Sequence, residues 1–264
     1  MIDVNEFRFK KKYGQNFLID KNIINKIVDT IPIKANNLVI EIGCGDGKLT
    51  TKLCEKFDKV IGYEIDTDLK DTLKNNLKEH KNYELIFEDF LKRNIKEDIK
   101  KENKKNIYVV ANLPYYITTP IIEKLIEEDI DVEMMRLMVQ KEVGERFTAK
   151  PGTKEYGSIT VYLNYNFEVK KDFIVKRTSF KPAPNVDSII ISLYKKDKKE
   201  IKSKENLYKI IRDSFKYKRK TLKNNLKEYD FETIKEILKQ KGYKEDVRAE
   251  MLDLDTFCEI ADSI

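Results

Sequence analysis

The chain predicts a mostly parallel α/β sheet covered by helices on both faces, followed by a small all-helical domain. Three observations carry that expectation. Through the first 140 residues, short and almost uninterrupted apolar runs alternate with segments of helical period, the pattern of strands buried on both faces and joined by crossover helices. One run, Leu38 to Ile42, empties into Gly43-Cys44-Gly45-Asp46-Gly47 and then a helical pattern, the way an open α/β sheet presents its ligand site. After a linker at Lys195–Lys204, the apolar residues recur only at helical spacing.

Taken in order, Asp20 can cap a helix whose apolar residues Ile23, Ile24, Ile27, Val28 and Ile31 share a face, with Pro32 ending it. Strands follow at Leu38–Ile42, Val60–Tyr63, Leu85–Phe87, Ile107–Ala111 and Met134–Val139, and Leu69, Leu73 and Leu77 form a one-face helical stripe between the second and third. Two further runs, Ser158–Leu163 and Ser188–Tyr194, read as strands closing the sheet with an antiparallel edge. Between them Phe180 to Asp187 carries Pro182 and Pro184 and must be extended. The helical domain is built from Leu207/Ile210/Ile211/Phe215, then Phe231/Ile234/Leu238 closed by Gly242, then a short helix after Asp255. These readings give domains at 1–196 and 197–264.

Composition narrows the chemistry. No run of about 18 apolar residues is present, and Lys10-Lys11-Lys12 stands where a secretory signal would carry apolar residues. Three scattered cysteines, Cys44, Cys54 and Cys258, form no Cys-x-x-Cys pair, which fits a reducing cytoplasm and neither a disulfide framework nor a zinc site. The single histidine, His80, lies between Glu79 and Lys81 at the polar end of a helical pattern, so His-based triads and metal sites are not expected. The net charge of +6 is uneven: Lys195 to Lys223 holds 13 Lys/Arg against 4 Asp/Glu. Concentrated cations of this kind suit a polyanionic partner such as nucleic acid, although a Lys-rich composition alone also produces solvated cations.

The glycine loop makes the first chemical statement. Glycine leaves the backbone open to a ligand and reaches turn angles closed to other residues. A dinucleotide fingerprint would place glycine where Lys48 stands. The observed form, Glu41-x-Gly43-x-Gly45-x-Gly47, is similar instead to the signature loop of S-adenosylmethionine-dependent methyltransferases. A dinucleotide site and a plain tight turn remain the other readings of the loop alone. Glu64, at the next strand end, can accept hydrogen bonds from an adenosine ribose, and Asp89 with Phe90 can receive the adenine, although strands also end in such acids with no ligand to bind.

Asn112-Leu113-Pro114-Tyr115 ends the fourth strand. An exocyclic base amine is a poor nucleophile because its lone pair is delocalised into the ring. Two acceptors on its hydrogens, an Asn side-chain oxygen and the next carbonyl, would aim that lone pair at a methyl group. Proline would stiffen the turn and an aromatic face would stack the flipped-out base. Read alone, the same four residues are equally a turn after a strand.

Taken together, the motifs resemble the ribosomal RNA adenine N6,N6-dimethyltransferases that act on two adjacent adenines near the 3′ end of small-subunit (16S) RNA. Besides the loop, Glu64, Asp89 and the Asn-Leu-Pro-Tyr motif, the resemblance rests on Gln15-Asn16-Phe17-Leu18-x-Asp20, Val139-Gln140-Lys141-Glu142-Val143-x-Glu145-Arg146 and Pro151-Gly152-Thr153-Lys154-x-Tyr156-Gly157. Phe180-x-Pro182-x-Pro184-x-Val186-Asp187-Ser188 and Arg248-Ala249-Glu250-x-Leu252 complete it. It implies a Rossmann-like S-adenosylmethionine methyltransferase sheet. The cofactor would be held by Gln15, Asn16, Leu18, Glu41, Gly43, Gly45, Gly47, Glu64, Ile65, Asp89, Phe90 and Asn112, and the target adenine handled by Asn112, Leu113, Pro114 and Tyr115. Contacts to RNA are expected from Lys10, Lys11, Lys12, Lys216, Lys218, Arg219, Lys220 and Lys223, on a helical basic segment from Phe215 to Leu222. The chain departs from the family's commoner residues at Tyr116, Ser158 and Tyr217.

By that resemblance the expected activity is transfer of two methyl groups to each of two adenines. The enzyme would act as a cytoplasmic monomer on 16S rRNA in a small-subunit assembly particle, with no metal. Three other readings stand beside it: the macrolide-resistance enzyme that dimethylates one adenine of 23S rRNA, a non-catalytic RNA-binding assembly factor, and a small-molecule methyltransferase. The intact Asn112-Leu113-Pro114-Tyr115 motif speaks against the second and the basic segment against the third.

Overall fold

The computed structural model describes residues 15–113 and 117–264. Two compact units emerge. The first holds the described residues up to Gly144 together with Lys170–Tyr194, and the second holds Glu145–Val169 with Lys195–Ile264. The break at 194/195 lies two residues from the expected 196/197, but 145–169 also belong with the second unit. Their side chains explain why: Tyr156, Val161 and Tyr165 pack into the same core as Leu207, Ile234 and Phe257.

In the first unit, β1 (Phe17–Leu18) leads into α1 (Lys21–Asp29), capped by Asp20, whose Oδ1 accepts from the Asn22 and Ile23 amides. Strands β2 (Asn37–Ile42), β3 (Val60–Tyr63), β4 (Tyr83–Ile86), β5 (Asn106–Asn112) and β6 (Val132–Gln140) alternate with α2 (Lys48–Lys56), α3 (Lys70–Asn76), α4 (Ile95–Glu102) and α5 (Thr118–Glu127). Every residue of β2 is buried, as a strand covered on both faces requires. Leu69, Leu73 and Leu77 are fully buried, so the helical stripe faces the core as expected. Within α6 (Lys141–Phe147), at Gly144, the chain leaves this unit.

The expected strand at Ser158–Leu163 is instead α7 (Ser158–Asn166), and the outer strand is β7 (Phe167–Val175), which follows it. The β-branched and aromatic residues of 158–166 suggested a strand because those residues favour pleated surfaces. Here Thr160, Val161, Leu163, Tyr165 and Asn166 are buried around the helix, and a helix buried on most sides shows no amphipathic period. Thr160 Oγ1 secures its start, accepting from the Gly157 amide at 3.3 Å and donating to the Arg146 carbonyl at 2.7 Å. Beyond β8 (Phe180–Lys181), β9 (Ser188–Lys195) runs antiparallel to β6, as expected of the late strand.

The seven-stranded sheet has the order β4-β3-β2-β5-β6-β9-β7, and a two-stranded antiparallel ribbon joins β1 to β8. Strand order reverses at β2, whose parallel partners are β3 on one side and β5 on the other. That crevice is where open α/β sheets bind ligands. Register then determines what meets there. Ile42 pairs with both Tyr63 and Ala111, so the next residues, Gly43, Glu64 and Asn112, emerge together at three adjacent strand ends.

The second unit adds α8 (Lys204–Ser214), α9 (Leu222–Asn225), α10 (Phe231–Gln240) and α11 (Leu254–Ser263) to α7 around its own apolar core. Ser203, Thr221, Asp230 and Asp253 cap the four helices in turn. The basic segment expected to be helical is a turn. Phe215 ends α8, and a reverse turn closes with the Lys220 amide on the Tyr217 carbonyl at 2.9 Å. No helix among the described residues is long and apolar enough to cross a membrane.

Candidate active site

A cavity of about 220 Å³ opens at the carboxyl ends of β2, β3 and β5. Its floor is the glycine loop. Gly43, Gly45 and Gly47 have φ of +81°, +57° and +81°, a region that L side chains avoid. A Cβ on Gly45 would also lie 3.2 Å from the Phe17 ring, so that glycine makes room for the N-terminal segment as well as for a ligand. The Gly43 amide donates to the Tyr63 carbonyl at 2.8 Å, tying the loop to β3.

Two carboxylates are embedded in this wall and differ sharply. Glu64 is buried but well supported: Oε2 accepts from the Gly45 amide at 2.9 Å and Oε1 from the Asp66 amide at 2.8 Å. Burial raises its pKa, and these backbone donors oppose the rise. Glu41 is fully buried, and neither of its oxygens has a hydrogen-bond partner among the described residues. Burial pushes it up to about 8, against the opposing pull of the nearby Thr50 hydroxyl and Cys44 thiol. A buried carboxylate left without donors is costly unless it meets a cation or carries a proton.

The N-terminal segment forms another wall. Gln15 Nε2 donates to Asp66 Oδ2 at 2.6 Å, and Asn112 Nδ2 donates to the Asn16 carbonyl at 3.2 Å. Phe17 and Leu18 are buried and pair with Lys181 and Phe180. Because a carbonyl can only accept, the Asn16 contact fixes which way the Asn112 amide faces. Its Oδ1 has no partner among the described residues. The Leu113 amide donates to the Met138 carbonyl at 3.3 Å, which orients the peptide that follows Asn112.

On the far side, Asp89 Oδ1 accepts from the Leu91 amide at 3.0 Å and starts a short 3-10 turn that carries buried Phe90. The Phe90 ring meets Tyr63 edge to face, with centroids 5.1 Å apart. Tyr63 Oη in turn donates to buried Asp98, which Arg93 grips with two nitrogens at 2.8 Å. The guanidinium holds the Asp98 pKa below the ordinary carboxylate range.

Of the twelve residues expected at a cofactor site, eleven line the cavity: Gln15, Asn16, Leu18, Glu41, Gly43, Gly45, Glu64, Ile65, Asp89, Phe90 and Asn112. Gly47 does not. It starts α2, and a Cβ there would lie 2.9 Å from Leu73, so its smallness serves helix packing. Leu113 also lines the cavity, whereas Pro114, Tyr115, Tyr116 and Lys10-Lys11-Lys12 lie outside the described residues. Sequence reasoning missed Phe17, which fills the space at Gly45, and buried Asp66, which anchors Gln15. Asp66 did leave a signal. It stands just before the Leu69/Leu73/Leu77 stripe, where an Asp caps the turn that opens it.

The family model for ribosomal RNA adenine dimethylases matches residues 6–264. The chain belongs to that family. It is accordingly an enzyme, an rRNA adenine N6,N6-dimethyltransferase that uses S-adenosylmethionine, and ribosomal RNA is its substrate. Ribosomal RNA small subunit methyltransferase A of Bacillus mycoides is 42% identical over 98% of this chain and 92% of that protein, and the Bacillus anthracis protein of the same name matches equally. Among solved structures, a dimethyladenosine transferase from Plasmodium falciparum superposes with a TM-score of 0.76 at 28% identity, over 92% of this chain and 95% of that one. The 23S rRNA methyltransferase ErmE gives 0.73 at 25% identity, over 94% and 99%. These two enzymes thus share the overall fold of this chain.

The cavity suits the cofactor on its own features. Side chains on Gly43 or Gly45 would fill the cradle, and buried Glu41, whose oxygens have no hydrogen-bond partner among the described residues, leaves acceptors that a ligand carrying sulfonium and ammonium charges would satisfy.

Proposed function

We propose that the first unit methylates N6 of two adjacent adenines near the 3′ end of small-subunit rRNA, twice on each, and that the second unit grips the RNA. The observation that carries this reading is the register of β2 and β5. It sets the cofactor loop beside Asn112, with the Asn112 Oδ1 open as an acceptor. In this reading Glu64 accepts from the ribose hydroxyls, while Asp89 receives the adenine amino group between Phe90 and Ile65. Gln15, Asn16 and Leu18 close over the ligand.

When bound, S-adenosylmethionine supplies an activated methyl group on a sulfonium whose charge disappears on transfer. Asn112 Oδ1 accepts one N6–H of the target adenine and the Leu113 carbonyl accepts the other. Held this way, the amine pyramidalises and its lone pair points at the methyl carbon. The bound donor would supply the methyl group and keep the electrons of its S–C bond, and the surplus proton on N6 would pass to solvent. In the second round the amine retains one hydrogen, and only one of the two acceptors holds it. Positioning and electrostatic complementarity are then the main catalytic terms.

Likeness to the Bacillus small-subunit enzymes supports the 16S target over the 23S target of ErmE, whose identity to this chain is lower. A small-subunit assembly particle as the bound form, a monomeric enzyme and a cytoplasmic location complete the reading. Labelled S-adenosylmethionine supplied with methyl-deficient small and large subunits tests it. N6,N6-dimethyladenine should appear at paired adenines of the small subunit, and label confined to the large subunit would refute the assignment.

A further inference from the structure

Most of the cations counted between Lys195 and Lys223 are not equivalent in the folded chain. Lys199 pairs with Asp255 at 2.9 Å and Lys223 with Glu245 at 2.7 Å, while the Lys202 ammonium donates to the Asp262 carbonyl at 2.8 Å. Lys216, Lys218, Arg219 and Lys220, by contrast, have no carboxylate partner among the described residues. In the middle of those four stands Tyr217, 57% exposed. It is the most exposed of the large hydrophobic side chains among the described residues, and the others are aliphatic or Met.

The turn that carries Tyr217 is held firmly. Asn225 accepts from the Tyr217 amide at 3.1 Å through Oδ1, and its Nδ2 donates to the Ser214 carbonyl at 2.7 Å and the Tyr217 carbonyl at 3.3 Å. The Leu222 amide closes the far end on the Val247 carbonyl at 2.8 Å. Lys216 Nζ lies 5.7 Å from the ring centroid. A rigid turn that leaves a ring in water within a cluster of unpaired cations has the make-up of a stacking platform for single-stranded nucleic acid. The ring offers a π-face to a base, and the cations meet the flanking phosphates.

We infer that Tyr217 stacks on an unpaired RNA base while Lys216, Lys218, Arg219 and Lys220 hold the phosphates on either side. This rests on the proposal that the second unit binds RNA, and it adds a contact whose energy does not depend on salt.

The chain contains no tryptophan, so Tyr217→Trp creates a lone fluorescent reporter at the contact. With full-length protein and a labelled, non-self-complementary 12-nucleotide RNA, Tyr217→Ala should weaken binding about tenfold. It should leave the slope of log K against log salt unchanged. Tyr217→Phe should bind within about twofold of wild type, and the Tyr217→Trp emission should be quenched as the RNA saturates. The same RNA annealed to its complement should bind Tyr217→Ala and wild type alike, because paired bases are already stacked. An unquenched reporter, or unchanged binding by Tyr217→Ala with the usual salt slope, overturns the stacking role and leaves RNA binding by the second unit standing. Absence of salt-dependent binding in wild type overturns both.

Discussion

The cofactor cavity and the basic turn at 216–220 both serve as binding surfaces, yet they are built by opposite means. The cavity recruits ligand largely through backbone: two left-handed glycines, strand ends in register, and a Glu64 carboxylate fixed by the Gly45 and Asp66 amides. Of its two buried carboxylates, Glu64 is held by backbone amides and Glu41 has no hydrogen-bond partner among the described residues. The turn recruits through side chains: four cations in water and one exposed ring, with Asn225 supplying rigidity from behind. A site made of backbone discriminates by shape and is hard to dissect by single side-chain deletions. A site made of surface cations is additive, salt-sensitive and tolerant. Activity and RNA affinity should therefore fail separately when each is damaged.

The largest effect should come from Asn112→Ala. Removing the acceptor that aims the base amine should lower methyl transfer by about a hundredfold or more, with the cofactor dissociation constant within about tenfold of wild type. Transfer at the wild-type rate would end the base-positioning role. Next, joint replacement of Lys216, Lys218, Arg219 and Lys220 with Ala should lower the slope of log K for RNA against log salt by about 3. Cofactor affinity should not move, and filter binding across a salt series reads both. Glu64→Ala, measured by calorimetric titration of the cofactor, should weaken binding by about ten- to a hundredfold. A normal constant would return Glu64 to a purely structural part.

Glu41 sharpens the contrast through pH. Its folded pKa of about 8 lies above the ordinary carboxylate value, so the folded ligand-free protein holds a proton that the unfolded chain has lost. Stability should consequently fall as pH rises from about 5 to 8, by up to about 1.4 kcal/mol per unit, and Glu41→Gln should flatten that decline. Thermal unfolding of both proteins across the range checks it. The smallest effect belongs to Lys223→Ala. Because Glu245 already neutralises Lys223, RNA affinity should change by no more than about twofold in the same filter-binding series.

What could be read ahead of the structure followed the same divide. Strands β2, β3, β5 and β6 were legible because a doubly covered strand is a continuous apolar run, and the cavity followed from the glycine spacing at the end of one of them. Gly47 fitted the loop pattern yet turned out to answer to Leu73, a packing demand no spacing announces. Ser158–Asn166 misled because burial on several sides erases the helical period that would have identified it. The basic stretch was overcounted for a different reason: Asp255 and Glu245, distant in sequence, neutralise some of its cations. Charge counted along a chain records what is available, whereas only the fold decides what remains free.

The ribbon between β1 and β8 has a consequence for the order in which this enzyme is made. Asp20 and Ser179, bonded to each other at its edge, are 159 residues apart. At about 5–20 residues per second, synthesis of that interval takes on the order of ten to thirty seconds. Throughout it the segment that becomes one wall of the cavity has emerged without its pairing partner. The glycine loop and the β2, β3 and β5 strand ends are all synthesised in the meantime. A nascent chain thus acquires the floor of its methyl-donor pocket early and the enclosing wall late, which delays cofactor capture until nearly the whole catalytic unit has been translated.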